Sequence, residues 1–326
     1  MRHVPCEIVR IVITGAAGFV GSTLMERASH QHDVIGVDCF LPNLYEAGVK
    51  RVVADGLTNR GLKMIEADLR YDDLDDIFEG ADAIIHEAGM AGLGPSWNDL
   101  ETYLSCNIAA TERVAKAALA AGVQKFIQIS TSSVYGKDAT GGEDSPLTPF
   151  SPYGVSKLAA EHLLHAYRAN FGLPLTVLRY FSIYGPRQRP DMAYHKFIES
   201  VLDDQPISVY GDGFQTRTNT YVDDCVNGTL LALEHGADGE TYNIGGGVSL
   251  SLLEAIEIIG EACGRKPKIE FAPERRGDQR HTAANIDKAT RELGYVPIMN
   301  PDDGLHHQVA WHRRQRYLRR SASAAA

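Results

Sequence analysis

The segment TGAAGFVG at residues 14–21 limits the folds open to this chain more than any other. It follows an apolar run at 8–13 that reads as a buried strand. It precedes a helical pattern over 19–30. Gly15, Gly18 and Gly21 let the backbone turn sharply and approach an anion closely, and the N-terminus of the helix that follows attracts negative charge. In a strand–turn–helix setting this glycine spacing reads as a dinucleotide pyrophosphate loop. Ala17, Phe19 and Val20 belong to the same loop.

The pattern downstream agrees. Further strand candidates lie at 33–38, 62–68, 83–88, 125–131 and 175–181, with helical patterns at 99–121 and 153–170. Such β-α alternation predicts an α/β chain with a Rossmann-type, doubly wound parallel sheet. Its binding crevice lies beyond the carboxyl ends of the strands. After Phe181, Pro186, Pro190, Pro206, Gly211 and Gly213 punctuate shorter elements and predict a smaller C-terminal substrate-binding lobe. The expected division is a cofactor domain over 1–181 with a return at 219–247. The lobe takes 182–218 and 248–315. The basic, then small and polar, residues of 316–326 form a frayed tail. The weakly patterned segment 40–61 reads as a loop with a short helix and suggests no function.

Composition narrows the partners. The chain has 326 residues, 44% of them hydrophobic, and a net charge of −10. That balance argues against a nucleic-acid or anionic-membrane surface, so an anionic substrate requires locally placed arginines. Five scattered cysteines (Cys6, Cys39, Cys106, Cys225, Cys263) show no zinc spacing and suit a reducing cytoplasm. No apolar stretch is long enough to span a membrane, and no metal cluster is visible.

Tyr153 and Lys157, in SPYGVSK, lie four apart and share one helix face. A lysine cation beside a phenol lowers the phenol pKa and makes a proton acceptor usable near neutral pH. A Tyr-x-x-x-Lys pair by itself also occurs in ordinary helices. Asp38 ends the second strand, where a carboxylate meets adenosine ribose hydroxyls and repels a 2′-phosphate, which favours NAD. A strand-end turn aspartate is the alternative. Asp68 and Leu69 close the third strand and border the expected adenine position. His86, alone at the end of the fourth strand, reads as structural.

Together these pieces resemble the extended short-chain dehydrogenase/reductase family of NAD-dependent nucleotide-sugar epimerases, dehydratases and decarboxylases. The resemblance runs through TGAAGFVG, Asp38, Asp68-Leu69, STSSVYG (130–136), SPYGVSK, RYFSIYGPRQRPDMA (179–193), GDGFQTR (211–217), YVDD (221–224) and RRGDQRHTAANIDKA (275–289). It implies a tightly held NAD recycled in each turnover, a nucleotide-sugar substrate and a catalytic set of Thr131, Tyr153 and Lys157. It also implies a homodimer built on the alanine-rich helices at 99–121 and 153–170.

Within the family, the two residues after Thr131 sort the chemistry. Dehydratases carry an Asp-Glu pair there, and UDP-glucuronate decarboxylases keep the glutamate. This chain has Ser132-Ser133. With a hydroxyl at Ser182 and the YGPRQRPDMA run, it is most similar to the UDP-glucuronate 4-epimerases. The resemblance implies hydroxyls from Ser132, Ser133 and Ser182 on the sugar carboxylate and Arg189 near the sugar and phosphates. Arg217 and Arg276 would meet the diphosphate, and Asp278 the uridine ribose.

Two departures stand out. Gly94-Pro95 replaces the arginine expected before Ser96-Trp97, and Thr218 replaces an aspartate after Arg217. The alternatives are a 4-epimerase of a neutral UDP-hexose or amino sugar, a decarboxylase, and a non-catalytic NAD-binding regulator on the same fold.

Overall fold

The structure is a computed structural model that describes residues 9–42, 44–274 and 281–325, the last four by backbone alone. Seven strands form the central sheet: β1 (Arg10–Thr14), β2 (Asp33–Asp38), β3 (Lys63–Glu66), β4 (Ala83–His86), β5 (Lys125–Thr131), β6 (Leu175–Tyr180) and β7 (Thr241–Ile244). Their spatial order is β7-β6-β5-β4-β1-β2-β3, and every pairing is parallel. The order reverses between β1 and β4, which opens a crevice beyond their carboxyl ends. Ile11, Ile13, Ile84, Ile85, Phe126, Ile127 and Val177 are fully buried on one sheet face or the other, as a sheet covered on both sides requires.

The helices that matter for the site are α1 (Phe19–Ala28), α2 (Ala47–Thr58), α3 (Ala110–Ala121), α4 (Pro152–Phe171), α5 (Ala193–Leu202), α6 (Val222–His235) and α7 (Pro301–Ala325). Helix α4 starts where the sequence signals it. The Ser151 hydroxyl accepts from the Gly154 amide at 3.1 Å, Pro152 takes the first turn, and Gly172 ends the helix in a left-handed conformation. Buttressing it below the cavity, the Glu161 carboxylate accepts from Arg179 Nη2 at 2.7 Å and also from the Ser130 hydroxyl, both inside the protein.

Three sequence expectations change. The pattern at 99–121 is not one helix. A short helix at Leu100–Leu104 runs into a π-helical turn at Ser105–Ala109, and α3 follows. The wider turn rotates Asn107 inward. Its amide donates to the Met90 carbonyl (2.9 Å) and the Ser156 hydroxyl (2.9 Å) and accepts from the Met90 amide (2.7 Å). Second, 40–61 holds the full twelve-residue α2, and the loop before it helps wall the cavity. Third, the chain does not fray at 316. Helix α7 continues to Ala325, and Arg316 forks onto Glu199 and Asp203, so the basic tail has acidic partners more than a hundred residues upstream. No helix among the described residues is long and apolar enough to cross a membrane.

Candidate active site

A cavity of about 730 Å³ opens at the crevice between β1 and β4. The glycine turn forms one wall. Gly15 sits at φ +71°, and a Cβ there would stand 2.8 Å from the Ala88 amide nitrogen. A Cβ on Gly21 would run into the Gly15 carbonyl. No side chain caps α1, so its first amides face the cavity region unclaimed. Gly18, Phe19 and Val20 line this wall. Ala17 does not; it is buried and its amide donates to Asp38 Oδ2 at 3.2 Å.

Asp38 lines the cavity, with Oδ1 accepting from the Phe40 amide (2.8 Å) and facing Lys50 Nζ at 3.4 Å. Sequence reading passed over Lys50, because α2 carries no motif. Asp68 and Leu69 line the same wall. Arg70 forks onto the Asp68 carboxylate, with Nη2 2.6 Å from Oδ2, and holds it below the ordinary carboxylate range. This donor and acceptor set, a backbone cradle that rejects a Cβ beside a strand-end carboxylate, fits a dinucleotide.

The opposite wall carries the reactive hydroxyls. Thr131, Ser132 and Ser133, at the end of β5, join Tyr153 and Lys157 from α4. Thr131 Oγ1 donates to Ser133 Oγ at 3.2 Å and accepts from the Ser133 amide at 3.2 Å. Tyr103 meets Tyr153 edge-on, with ring centroids 6.2 Å apart, and its hydroxyl donates to the Ala91 carbonyl at 2.7 Å. Ser182, Arg189 and Arg217 also line the cavity. Arg189 forks onto Asp191 through Nε (2.9 Å) and Nη2 (2.8 Å), which aims its remaining face. Arg217, Ser182 and Lys196 also line a second cavity of about 780 Å³, so the two share a wall. Arg276 and Asp278 lie outside the described residues.

Burial pushes the Tyr153 phenol up and Glu87 adds to the rise, while the Thr131 hydroxyl and Arg189 pull it down. Lys157 is 5% exposed, and burial lowers its ammonium to about 8 against the pull of Glu87 and Glu161. Desolvation disfavours the charged form of both groups and here outweighs their neighbours.

Glu87 is a second cavity-lining residue that sequence reading missed. It follows β4 in HEAGMAG, lines the cavity, and its Oε2 is buried without a hydrogen-bond partner. Burial pushes its carboxyl up to about 8. The one available signal was a carboxylate at the end of an otherwise apolar central strand. His86 behaves as expected of a structural histidine. It is fully buried, held by Thr14 (2.8 Å) and Thr111 (3.0 Å), and stands off the cavity wall.

Comparison with known proteins now decides the family. The model of the NAD dependent epimerase/dehydratase family matches residues 11–245. The chain belongs to that family. It is 40% identical over 309 residues to YtcB of Bacillus subtilis strain 168, named an uncharacterized UDP-glucose epimerase, covering 93% of this chain and 98% of that one. It is 33% identical over 325 residues to a dTDP-glucose 4,6-dehydratase of Streptomyces griseus, covering 94% of each chain. Among solved structures, the UDP-glucuronic acid 4-epimerase of Bacillus cereus with UDP-glucuronic acid and NAD superposes with a TM-score of 0.90. The two are 39% identical, over 94% of this chain and 99% of that one. The expected doubly wound fold, NAD as cofactor and epimerase activity on a nucleotide sugar therefore hold for this chain.

Proposed function

We propose that this enzyme is a 4-epimerase of UDP-glucuronate, converting it to UDP-galacturonate through a transient 4-keto sugar. The observation that carries the reading is the Thr131-Ser132-Ser133 step on the cavity wall beside Tyr153. Those hydroxyls can hold a sugar carboxylate without protonating it, whereas dehydration needs an acid and a base at 132 and 133. The B. cereus epimerase supports the same substrate.

In this reading bound NAD would supply the hydride acceptor, and then the hydride donor, for the sugar C4. Gly15, Gly18, Phe19, Val20 and Gly21 would hold its pyrophosphate, Asp38 its adenosine ribose, and Asp68 and Leu69 would border its adenine. Tyr153 takes the proton of the C4 hydroxyl, and Thr131 orients that hydroxyl by a hydrogen bond. Lys157 holds the nicotinamide ribose. Ser132, Ser133 and Ser182 hold the C6 carboxylate, with Arg189 beside the sugar. Arg217, on the wall common to both cavities, meets the diphosphate. The ketone turns over about its diphosphate linkage and Tyr153 returns the proton, so no proton is gained or lost overall. Binding strength belongs on the nucleotide, since the sugar must present both faces.

Gly94 favours a second reading. It lines the cavity, a Cβ there would meet nothing within 4 Å, and Gly94-Pro95 carries no arginine of its own. A neutral UDP-hexose would fit that gap, and the name of the B. subtilis relative points the same way. Purified protein given UDP-glucuronate without added cofactor should yield UDP-galacturonate by NMR. Formation of UDP-xylose or a 4-keto pentose, or faster turnover of UDP-glucose or UDP-N-acetylglucosamine, would overturn the assignment. In the same assay Gly94→Arg should favour the glucuronate further.

We further infer a homodimer in which the alanine-rich α3 and α4 pair with a second copy. The exposed Leu100, Leu104 and Val155 on and beside these helices support it, and light scattering on the eluted protein tests it. The four described cysteines are all free, which suits a cytoplasmic enzyme.

A further inference from the structure

Away from the main cavity wall, helices α5 and α7 bring together a group that no local motif announces. His195 and Glu199 lie four apart on α5 and share a face. His312 arrives from α7, 113 residues beyond Glu199. One ligand atom from each of the three lies within 4.8 Å of the other two. The two imidazole rings stand 4.5 Å apart between centroids, inclined at 70°.

The hydrogen bonds leave ring nitrogens to spare. His195 Nδ1 lies 2.8 Å from the Gln188 carbonyl, to which only a protonated nitrogen can bond. That fixes the tautomer and leaves the Nε2 lone pair free, the arrangement typical of metal-ligating histidines. His312 is 1% exposed. Its Nδ1 lies 2.5 Å from Glu199 Oε1, and its Nε2 is buried without any partner. No protonation state satisfies both nitrogens. With the proton on Nδ1, the Nε2 lone pair is stranded. With the proton on Nε2, an N–H is stranded and a lone pair faces a carboxylate oxygen. Buried polar atoms are rarely left so.

We propose that His195 and His312, through their unpartnered Nε2 atoms, bind a divalent transition-metal ion of the zinc or nickel class, which clamps α7 onto α5, while Glu199 orients His312 through its Nδ1. Two imidazoles, one of them backed by a carboxylate, suit such ions better than calcium or magnesium, which favour oxygen cages. Arg316 Nη2, 2.5 Å from Glu199 Oε2, already offsets part of the carboxylate charge, which further disfavours hard cations. His195 and Glu199 line the second cavity, which offers the ion a path in. The site is independent of the sugar assignment. It differs from the sequence expectation of no metal cluster because its ligands come from two distant helices.

The test uses the untagged full chain, stripped with a chelator and titrated with zinc chloride or nickel chloride. Metal content per chain and the thermal midpoint are read together. One ion per chain and a raised midpoint are expected, with magnesium and calcium chloride inert. His195→Gln leaves the Glu199–His312–Arg316 contacts in place and should weaken binding at least about tenfold, as His312→Gln should. Absence of stoichiometric zinc or nickel would overturn the proposal. So would equal binding by wild type and both variants, or an equal response to calcium.

Discussion

The glycine turn at 15–21 and the hydroxyl-bearing strand end at 131–133 face one cavity, yet they are made differently. On the first wall the backbone does the work. Gly15 and Gly21 exclude any Cβ, and the uncapped amides of α1 supply the donors. On the second wall the side chains do it, and their character depends on what surrounds them. Thr131, Ser132 and Ser133 are ordinary hydroxyls; Tyr153, Lys157 and Glu87 are all shifted by burial. A wall built from backbone tolerates few residues and is easy to read. A wall built from side chains can change substrate by one substitution.

The largest effect should come from the side-chain wall. Tyr153→Phe removes the proton acceptor and should lower kcat by about 10²–10⁴-fold, the usual contribution of a positioned acid–base group. Co-purified NAD, measured after acid release, should stay near the wild-type level. Unchanged turnover would contradict the assigned base.

The backbone wall should fail in the opposite sense. Gly15→Ala forces a side chain into a left-handed conformation, at a cost of roughly 1–2 kcal/mol, and presses it on the Ala88 amide. Retained NAD per chain should fall along with the thermal midpoint. A variant that keeps NAD fully while losing kcat would erase the distinction between the two walls.

Glu87→Gln gives the smallest effect and a pH signature. The folded protein holds the Glu87 proton up to about pH 8, whereas an ordinary glutamate ionises near 4.5. Since the folded pKa is raised, the stability it contributes is complete below the unfolded value and is lost as pH rises through 8. Melting curves of both proteins at pH 5.5 and 8.5 should therefore show the variant gaining on wild type at the higher pH. A gap that does not change with pH would mean the carboxyl is solvated or paired.

Legibility in the sequence follows the same division. Strands β2 and β5 match their expected bounds because apolar runs flanked by turn residues are local signals. Helix α4 was equally plain, with Ser151, Pro152 and Gly172 as punctuation. The π-helical turn at Ser105–Ala109 was not, because Asn107 is drawn in by Met90 and Ser156, neither of which is its neighbour in the chain. Lys50 and Glu87 were missed for a similar reason: each takes its place in the site from elements far apart in sequence. The docked tail depends on Glu199 and Asp203, which no reading of 316–326 alone could supply.

By itself the sequence determined the alternation of strands and helices, the glycine turn and the presence of Tyr153 and Lys157 on one helix face. Each of these is decided by residues within a few positions of one another. Only the tertiary structure decided that burial raises Tyr153, that Lys157 faces Glu87 and Glu161, and that two histidines and a glutamate meet between α5 and α7. Desolvation and charge–charge coupling depend on distance through space, and the fold sets that distance.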